Sequence, residues 1–283
     1  MIDAHHHLWK YNDRDYAWMS GAMEPVRCDF LVADLSEAIR SGGVSGTVVV
    51  QARQTVEETE WLLALAEAND CIRGVVGWVP LVDAGVASHL ERFVRHPKLK
   101  GMRHVLHDEP DDGYMLRSDF NRGVALLKEF RLTYDILIYE RHLPQTLEFV
   151  DRHPNQVFIV DHIAKPRIKD RLLSPWRERI QELAKREHVY CKISGMLTEA
   201  DWKRWTPEEL KPYFDTVLSA FLPARLMFGT DWPVLTLASD YATWAHMFRQ
   251  AIAELSAMEK ERISEGTAVE AYRLQPCEVE SKR

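Results

Sequence analysis

Three consecutive histidines, His5, His6 and His7, lie inside an apolar run near the start of the sequence. A short apolar run of this kind predicts a buried β-strand over residues 2–9. Because side chains alternate along a strand, His5 and His7 would share one face and His6 would take the other. Two imidazoles on one face can bind one divalent metal ion. Surface histidines or a purification tag are the alternatives, and the apolar neighbours make a tag a poor fit.

Three further residues that could do chemistry follow apolar runs. His162 comes just after VFIVD, Asp231 follows RLMFGT, and Arg103 lies near the end of LKGMRHV. Asp231 could bind a metal or take a proton from an attacking water, or it could cap a helix or form a turn. Arg103 could hold a substrate carboxylate or a developing negative oxygen, or pair with a neighbouring carboxylate. Alone, a histidine such as His162 is more often structural than a ligand.

The segments that carry these residues alternate between strand-like and helical patterns. Eight short apolar strands are predicted, each followed by a helical segment, of which the last covers residues 241–274. This alternation predicts a parallel sheet closed into a (β/α)8 TIM barrel of the α/β class, in one domain over residues 1–283. An open doubly wound sheet is the alternative, although no Gly-x-Gly-x-x-Gly follows the first strand. The predicted strands cover residues 2–9, 44–52, 72–79, 99–105, 132–139, 157–160, 189–193 and 225–228.

In a TIM barrel the active site lies at the carboxyl ends of the strands. Since the eighth strand closes beside the first, we expect Asp231 to lie next to His5 and His7. Several other predicted strand ends carry side chains that can form hydrogen bonds, namely Gln51, Trp78, His104, Tyr139, Ser194 and Trp232.

The sequence leaves the roles of some side chains open. Aromatic residues of the loop 10–27, such as Trp18, could wall a pocket or pack over the barrel rim. The roles of Lys165 and Lys192 are ambiguous, and Lys192 would point outward if Ser194 does. The other histidines, including His107, are interpreted as structural or surface residues.

Composition excludes several classes of protein. A formal net charge of −7 over 283 residues argues against nucleic acid or an anionic membrane as the main partner. No apolar run approaches the roughly 18 residues of a membrane span, and no signal-peptide pattern is present. The four cysteines, Cys28, Cys71, Cys191 and Cys277, lack CxxC spacing. They indicate reduced thiols in a cytoplasmic protein.

Motifs at six of the strand ends resemble one known superfamily. In chain order they read Asp-Ala-His-His-His, Val-Gln-Ala, Lys-Gly-Met-Arg-His, Asp-His-Ile-Ala-Lys-Pro, Lys-Ile-Ser-Gly and Phe-Gly-Thr-Asp-Trp-Pro. This combination resembles the amidohydrolase superfamily, and more narrowly its sugar-acid lactonase branch. The resemblance spans nearly the whole chain, whereas His-x-His alone would be a weak signal.

The resemblance implies a site for one divalent metal ion, with zinc expected. It implies that His5, His7, His162 and Asp231 bind the metal and that Asp231, His162 and Arg103 are catalytic. Two-metal members carry a bridging lysine or glutamate where this chain reads Gly-Met-Arg-His, so one metal at most is expected. Some lactonases of this branch work without metal, so the resemblance leaves open whether the ion is required. Expected substrate contacts are Gln51, Arg103, Tyr139 and Trp232.

The expected reaction is the opening of a sugar-acid lactone, L-fuconolactone or a similar aldonolactone, by water that Asp231 deprotonates. One alternative is a metal-dependent decarboxylase, and another is a pyrone-dicarboxylate lactonase. The latter should need several cations, and only Arg103 clearly ends a strand, with Arg53 just past another. A non-enzymatic sugar-acid binding protein is the third alternative. The expected partner is a small lactone, with no nucleic acid or membrane partner, and a homo-oligomer is left open.

Overall fold

The computed structural model describes residues 1–275. Its strands are β1 (Ile2–His6), β2 (Gly46–Val50), β3 (Ile72–Gly77), β4 (Leu99–Val105), β5 (Thr133–Leu137), β6 (Phe158–Val160), β7 (Val189–Ile193) and β8 (Leu226–Phe228). They form one parallel sheet in chain order from β1 to β8. The predicted (β/α)8 barrel is confirmed, while the single domain over residues 1–283 stays a prediction.

A helix follows each strand, as the alternating pattern predicted. The helices are α1 (Val32–Gly42), α2 (Val56–Ala68), α3 (Val86–Phe93), α4 (Ser118–Leu127), α5 (Leu143–Asp151), α6 (Trp176–Leu183), α7 (Pro207–Arg225), α8 (Tyr241–Ala251), α9 (Ala257–Glu261) and α10 (Thr267–Ala271). The stretch 241–274 is therefore divided rather than continuous. It breaks after α8 because Ser256 starts a new helix, where its hydroxyl accepts from Glu259 N.

Strand β1 is shorter than the predicted 2–9 because the chain leaves its ladder with β2 after His6. The backbone N–H of His7 donates instead to the carbonyl of Trp232 at 2.7 Å. The N–H of Asp231 donates to the carbonyl of His5 at 2.8 Å. These bonds close the barrel between β8 and β1, and they fix Asp231 beside the histidines.

Parallel pairing sets which side chains share a face of the barrel. Arg103 of β4 is in register with Asp135 of β5, and Lys192 of β7 is in register with Met227 of β8. Met227 belongs to a buried apolar cluster that joins strand side chains such as Val48 to the residues around α10. Strands β2 and β3 are buried throughout, as expected for β-branched strands covered on both faces.

The loop after β1 packs as its own small cluster. Trp9, Tyr16, Met19 and Val26 are buried together, while Trp18 is 43% exposed. Cys28, Cys71 and Cys191 are free thiols, and Cys277 lies outside the described residues. Within residues 1–275 the structure contains no helix long and apolar enough to cross a membrane.

Candidate active site

Three imidazoles and one carboxylate meet at the carboxyl ends of β1, β6 and β8. The Nε2 atoms of His5 and His7 lie 3.2 Å apart. Asp231 Oδ1 lies 3.3 Å from His7 Nε2 and 3.8 Å from the Nε2 atoms of both His5 and His162. All four residues are at most 5% exposed. We refer to His5, His7, His162 and Asp231 as the ligand cluster.

Hydrogen bonds on the far side of each ring turn Nε2 toward the common point. His7 Nδ1 lies 2.8 Å from the carbonyl oxygen of Val50, so it carries the proton and donates. His162 Nδ1 lies 2.9 Å from the Ser194 hydroxyl. His5 Nδ1 lies 3.2 Å from Asp161 Oδ1. Such outer partners fix the tautomer and orientation of metal-binding histidines.

The ligand cluster fits one divalent ion. Nitrogen donors of a tetrahedral zinc site lie about 2.0–2.1 Å from the metal, which places them about 3.3 Å apart. The four distances given above, 3.2–3.8 Å, are close to that spacing, and the ligand atoms of His5, His162 and Asp231 all lie within 4.8 Å of one another. Three imidazoles and one carboxylate are also donors that zinc accepts.

Burial and neighbouring charges set the protonation states of the cluster. Burial lowers the pKa of His162 to about 4 and that of His5 well below its usual range. Burial alone would raise the pKa of Asp231, but His162, His7 and Lys165 outweigh it and lower the pKa below its ordinary value. At neutral pH His5 and His162 are therefore neutral and Asp231 is ionised.

A strained turn after β6 delivers His162 to the site. His162, Ile163, Ala164 and Lys165 have φ values of 52°, 49°, 61° and 45°. Each left-handed L-residue costs about 1–2 kcal/mol, so the turn stores several kcal/mol. Backbone strain of this kind is common at functional sites, and both ends of the turn, His162 and Lys165, line the same cavity.

Gly195, just after β7, makes room for the His162 ring. A Cβ at Gly195 would lie 2.7 Å from Cγ and Nδ1 of His162, and the Gly195 φ of 63° favours glycine. Ser194, which sequence reasoning placed at a strand end, bonds the same ring. The two residues together hold the imidazole from behind.

Beneath the ligand cluster lies a buried set of charges, of which the sequence had given a role only to Arg103. Lys192 Nζ contacts Asp135 Oδ2 at 2.5 Å, Asp161 Oδ1 at 2.9 Å and His5 Nδ1 at 3.1 Å. Arg103 Nη1 lies 3.0 Å from Asp161 Oδ2 and 3.3 Å from His5 Nε2. Lys192 therefore points into the barrel. The available signal was a charge, Asp135 or Lys192, inside an otherwise apolar strand.

The cavity above the ligand cluster has a volume of about 410 Å³, within the usual size of a small-molecule site. Of the predicted site residues, His7, Arg103, Tyr139, His162 and Asp231 line it. The cavity wall also includes Trp9, Trp18, His107, Asp108, Lys165, Glu199 and Trp202. His107 stacks on Tyr139 with ring centres 4.6 Å apart, so its interpretation as structural or surface missed a position in the cavity wall.

Two predicted substrate contacts do not belong to the described cavity wall. Gln51 is fully buried, and both its backbone oxygen and its Oε1 accept hydrogen bonds from Arg103 Nη2. Trp232 is 4% exposed and packs edge-on against Phe30. Gln51 is thus placed to position Arg103, and Trp232 to support the loop after β1.

Two strand-end side chains predicted as hydrogen-bonding groups bond each other away from the cavity. Trp78 Nε1 donates to His104 Nδ1 at 3.2 Å, and His104 Nε2 bonds Glu109 at 2.6 Å. His104 also stacks on Tyr114, with ring centres 5.1 Å apart. Since adjacent side chains of a strand face opposite sides, His104 points away from the inner face that Arg103 occupies.

Comparison with known proteins agrees with this geometry. A family model described as Amidohydrolase matches residues 2–274. The L-fucono-1,5-lactonase of Burkholderia multivorans is 38% identical over 284 residues, covering 96% of each chain. The L-fucono-1,5-lactonase of Burkholderia ambifaria is 34% identical, covering 96% of this chain and 95% of its own. A crystal structure of an amidohydrolase from Burkholderia multivorans with bound Zn superposes with a TM-score of 0.94 at 38% identity, covering 97% of this chain and 99% of that one.

The barrel and its histidine–aspartate cluster are those of a hydrolase, and the chain belongs to the amidohydrolase family. Within that family, the similarity to named lactonases over nearly the full chain identifies it as an enzyme of the sugar-acid lactonase branch.

Proposed function

We propose that this enzyme hydrolyses a sugar-acid lactone to the open aldonic acid, and that L-fucono-1,5-lactone is the first substrate to test. The observation that carries the proposal is the position of the ionised Asp231 carboxylate, 3.3 Å from His7 Nε2 on the wall of a small-molecule cavity. The L-fucono-1,5-lactonases at 34% and 38% identity support the choice of substrate.

Asp231 is the group that accepts the proton of the attacking water. The water oxygen adds to the lactone carbonyl carbon, and the ring C–O ester bond then breaks. The ring oxygen takes the proton from Asp231 and becomes a hydroxyl group, while the new carboxylic acid loses its proton to solvent. General-base help of this kind contributes about 10²–10⁴-fold to a rate.

Arg103 and the imidazoles supply the positive and polar groups around the carbonyl oxygen. Arg103 is 3% exposed and is held by Gln51 and Asp161, so its guanidinium is fixed before substrate enters. Fixed positive groups stabilise an oxygen that becomes negative in the transition state. A zinc ion bound by His5, His7, His162 and Asp231 would polarise the carbonyl and lower the pKa of water.

The charges on the cavity wall favour a neutral substrate over a dicarboxylate. Two fixed cations, Arg103 and Lys165, face three carboxylates, Asp108, Glu199 and Asp231. A dianionic pyrone would meet more negatively than positively charged side chains there. Arg53, the other cation considered from sequence, instead pairs with Asp15 at 2.7 Å. This balance supports a polyol lactone over a pyrone dicarboxylate.

The test compares the wild-type enzyme with Asp231→Asn on L-fucono-1,5-lactone, with proton release followed by a pH indicator. We expect wild-type turnover well above spontaneous hydrolysis and at least a hundredfold lower kcat in the variant, since a general base is lost. Asp215→Asn is the matched control, because Asp215 lies on α7 and pairs with Lys211 at the surface.

The same assay distinguishes the alternatives. Wild-type enzyme no faster than the uncatalysed reaction on a panel of aldonolactones would refute the lactonase proposal. Release of carbon dioxide from an aromatic acid would identify a decarboxylase. If Asp231→Asn keeps wild-type turnover while the wild type is active, the assigned role of Asp231 is wrong and the reaction class stands.

A further inference from the structure

An ion pair on the cavity wall has no direct part in the proposed bond-making and bond-breaking steps, although the charge of its Lys165 helps to lower the pKa of Asp231. Lys165 Nζ lies 3.4 Å from Glu199 Oε1, and both residues line the cavity. Their side chains are 18% and 20% exposed, so both can reach a ligand. Lys165 Nζ also lies 5.4 Å from the ring centre of Tyr139, another cavity residue.

Stability does not account for this pair. A partly exposed ion pair contributes little to folding, and the 3.4 Å between Lys165 Nζ and Glu199 Oε1 is longer than a strong charge-assisted hydrogen bond. Lys165 nevertheless has a left-handed backbone at φ 45°, the last of four such residues that begin with His162. An unfavourable backbone conformation often occurs at functional sites, where the surrounding structure holds it in place. Here the turn brings the residues at both its ends, His162 and Lys165, to one cavity.

The two charged groups are complementary to a pair of hydroxyl groups. An ammonium group only donates hydrogen bonds, and a carboxylate only accepts them. Neighbouring hydroxyls of a sugar ring can do both, so one diol can satisfy Lys165 and Glu199 at once. A substrate carboxylate at this place could pair with Lys165 but would be repelled by Glu199, so it cannot satisfy both groups. Trp18 and Trp202 line the same cavity and offer apolar faces for the carbon skeleton of a sugar.

We propose that Lys165 and Glu199 bind two neighbouring hydroxyl groups of the lactone and select polyhydroxylated substrates. This inference rests on the proposed lactonase function and adds to it a specificity device that is separate from the ligand cluster. A site built to hydrogen-bond a hydroxyl discriminates strongly against analogues that lack it. Loss of either group should therefore weaken substrate binding more than it slows the bond-breaking step.

The experiment measures kcat and KM on L-fucono-1,5-lactone for the wild type, Glu199→Gln and Lys165→Met. Glu199→Gln keeps the size of the side chain and removes its charge, and Lys165→Met keeps the apolar stem. We expect KM to rise at least tenfold in each variant, with kcat within threefold of wild type in Glu199→Gln. Lys165→Met should also lower kcat, because the Lys165 charge helps to lower the pKa of Asp231. On δ-valerolactone, which has the ring without hydroxyls, kcat/KM of Glu199→Gln should stay within twofold of wild type.

Glu209→Gln is the matched control, because Glu209 pairs with Arg171 and does not belong to the described cavity wall. It should leave both constants unchanged. A KM within twofold of wild type in Glu199→Gln overturns the inference, as does an equal loss on δ-valerolactone. A lower kcat with a lower thermal midpoint would assign the pair a structural role and overturn it too. If the wild type opens no lactone, the proposed function itself fails.

Discussion

Lys192 offers the sharpest test of how the barrel interior supports the site. Its ammonium group contacts the carboxylates of Asp135 and Asp161 at 2.5 and 2.9 Å, and all three side chains are fully buried. Arg103 is the second cation and contacts Asp161 at 3.0 Å. Two cations and two carboxylates make this cluster electrically neutral. Lys192→Met keeps most of the side-chain volume and leaves one buried negative charge without a partner.

The expected cost follows from that uncompensated charge. Removing one partner of a buried ion pair lowers the free energy of unfolding by about 3–5 kcal/mol. For a chain of this size the thermal midpoint falls by about 2 °C for each kcal/mol, which gives about 6–10 °C. Asp135→Asn should cost a similar amount, because it leaves Lys192 with one carboxylate fewer. The double variant restores neutrality, so its loss should be smaller than the sum of the two single losses by about 3 kcal/mol.

The assay is thermal unfolding of the wild type, both single variants and the double variant, followed by circular dichroism in one buffer. The asparagine can still accept the hydrogen bond that Tyr272 Oη gives to Asp135 Oδ2 at 2.6 Å. The difference between the double and single losses therefore reports charge balance. Additive losses, or Lys192→Met with the wild-type midpoint, would refute the description of this set as one neutral network.

Three further changes test other parts of the site. Gly195→Ala should lower kcat at least tenfold, because the new Cβ would lie 2.7 Å from the His162 ring. Gly21→Ala is the control and should leave kcat unchanged, since nothing lies within 4 Å of its Cβ. Equal kcat in the two variants would contradict this prediction. Burial, aided by the neighbouring imidazole, lowers the pKa of His6 to about 3 from 6.5, so the unfolded state binds one proton more between these values and stability falls as pH falls. His6→Gln should therefore lessen the slope of unfolding free energy against pH by up to about 1.4 kcal/mol per unit between pH 6 and 4, measured by urea unfolding, and an unchanged slope would count against it. Chelator-treated wild type should bind one zinc ion per chain, and its free energy of unfolding should rise by about 2.7 kcal/mol when free zinc is a hundred times Kd. In His162→Gln the corresponding rise in the thermal midpoint should be lost. If the variant keeps the full rise, His162 is not a zinc ligand.

The chain order of the elements and the ends of four strands, β4, β6, β7 and β8, followed from local patterns. Strands β4 and β7 begin and end where the sequence predicted, because short apolar runs between polar turns have a clear length and period. Errors occurred where a tertiary contact ends an element. Strand β1 stops at His6 because His7 pairs with Trp232 across the barrel closure.

The sequence also specified which residues could meet, and the closed barrel decided which of them face the cavity. His5, His7, His162 and Asp231 follow from strand ends, since eight units must bring those ends to one face. Gln51 also ends a strand, yet it lies behind Arg103 and bonds it. The direction of a side chain at a strand end depends on which residue makes the last backbone hydrogen bond to the neighbouring strand. That position is set by two chain segments together.

Only the tertiary structure revealed the charges beneath the site and the ion pair in its wall. Asp135, Asp161, Lys192 and Arg103 come from four strand regions and neutralise one another only when the barrel is closed. Lys165 and Glu199 follow different strands and meet through a left-handed turn that no local propensity predicts. A local pattern of apolar residues determines whether one segment forms a strand or a helix. Whether a buried charge has a partner depends instead on atoms that are distant in sequence and a few ångströms apart in space.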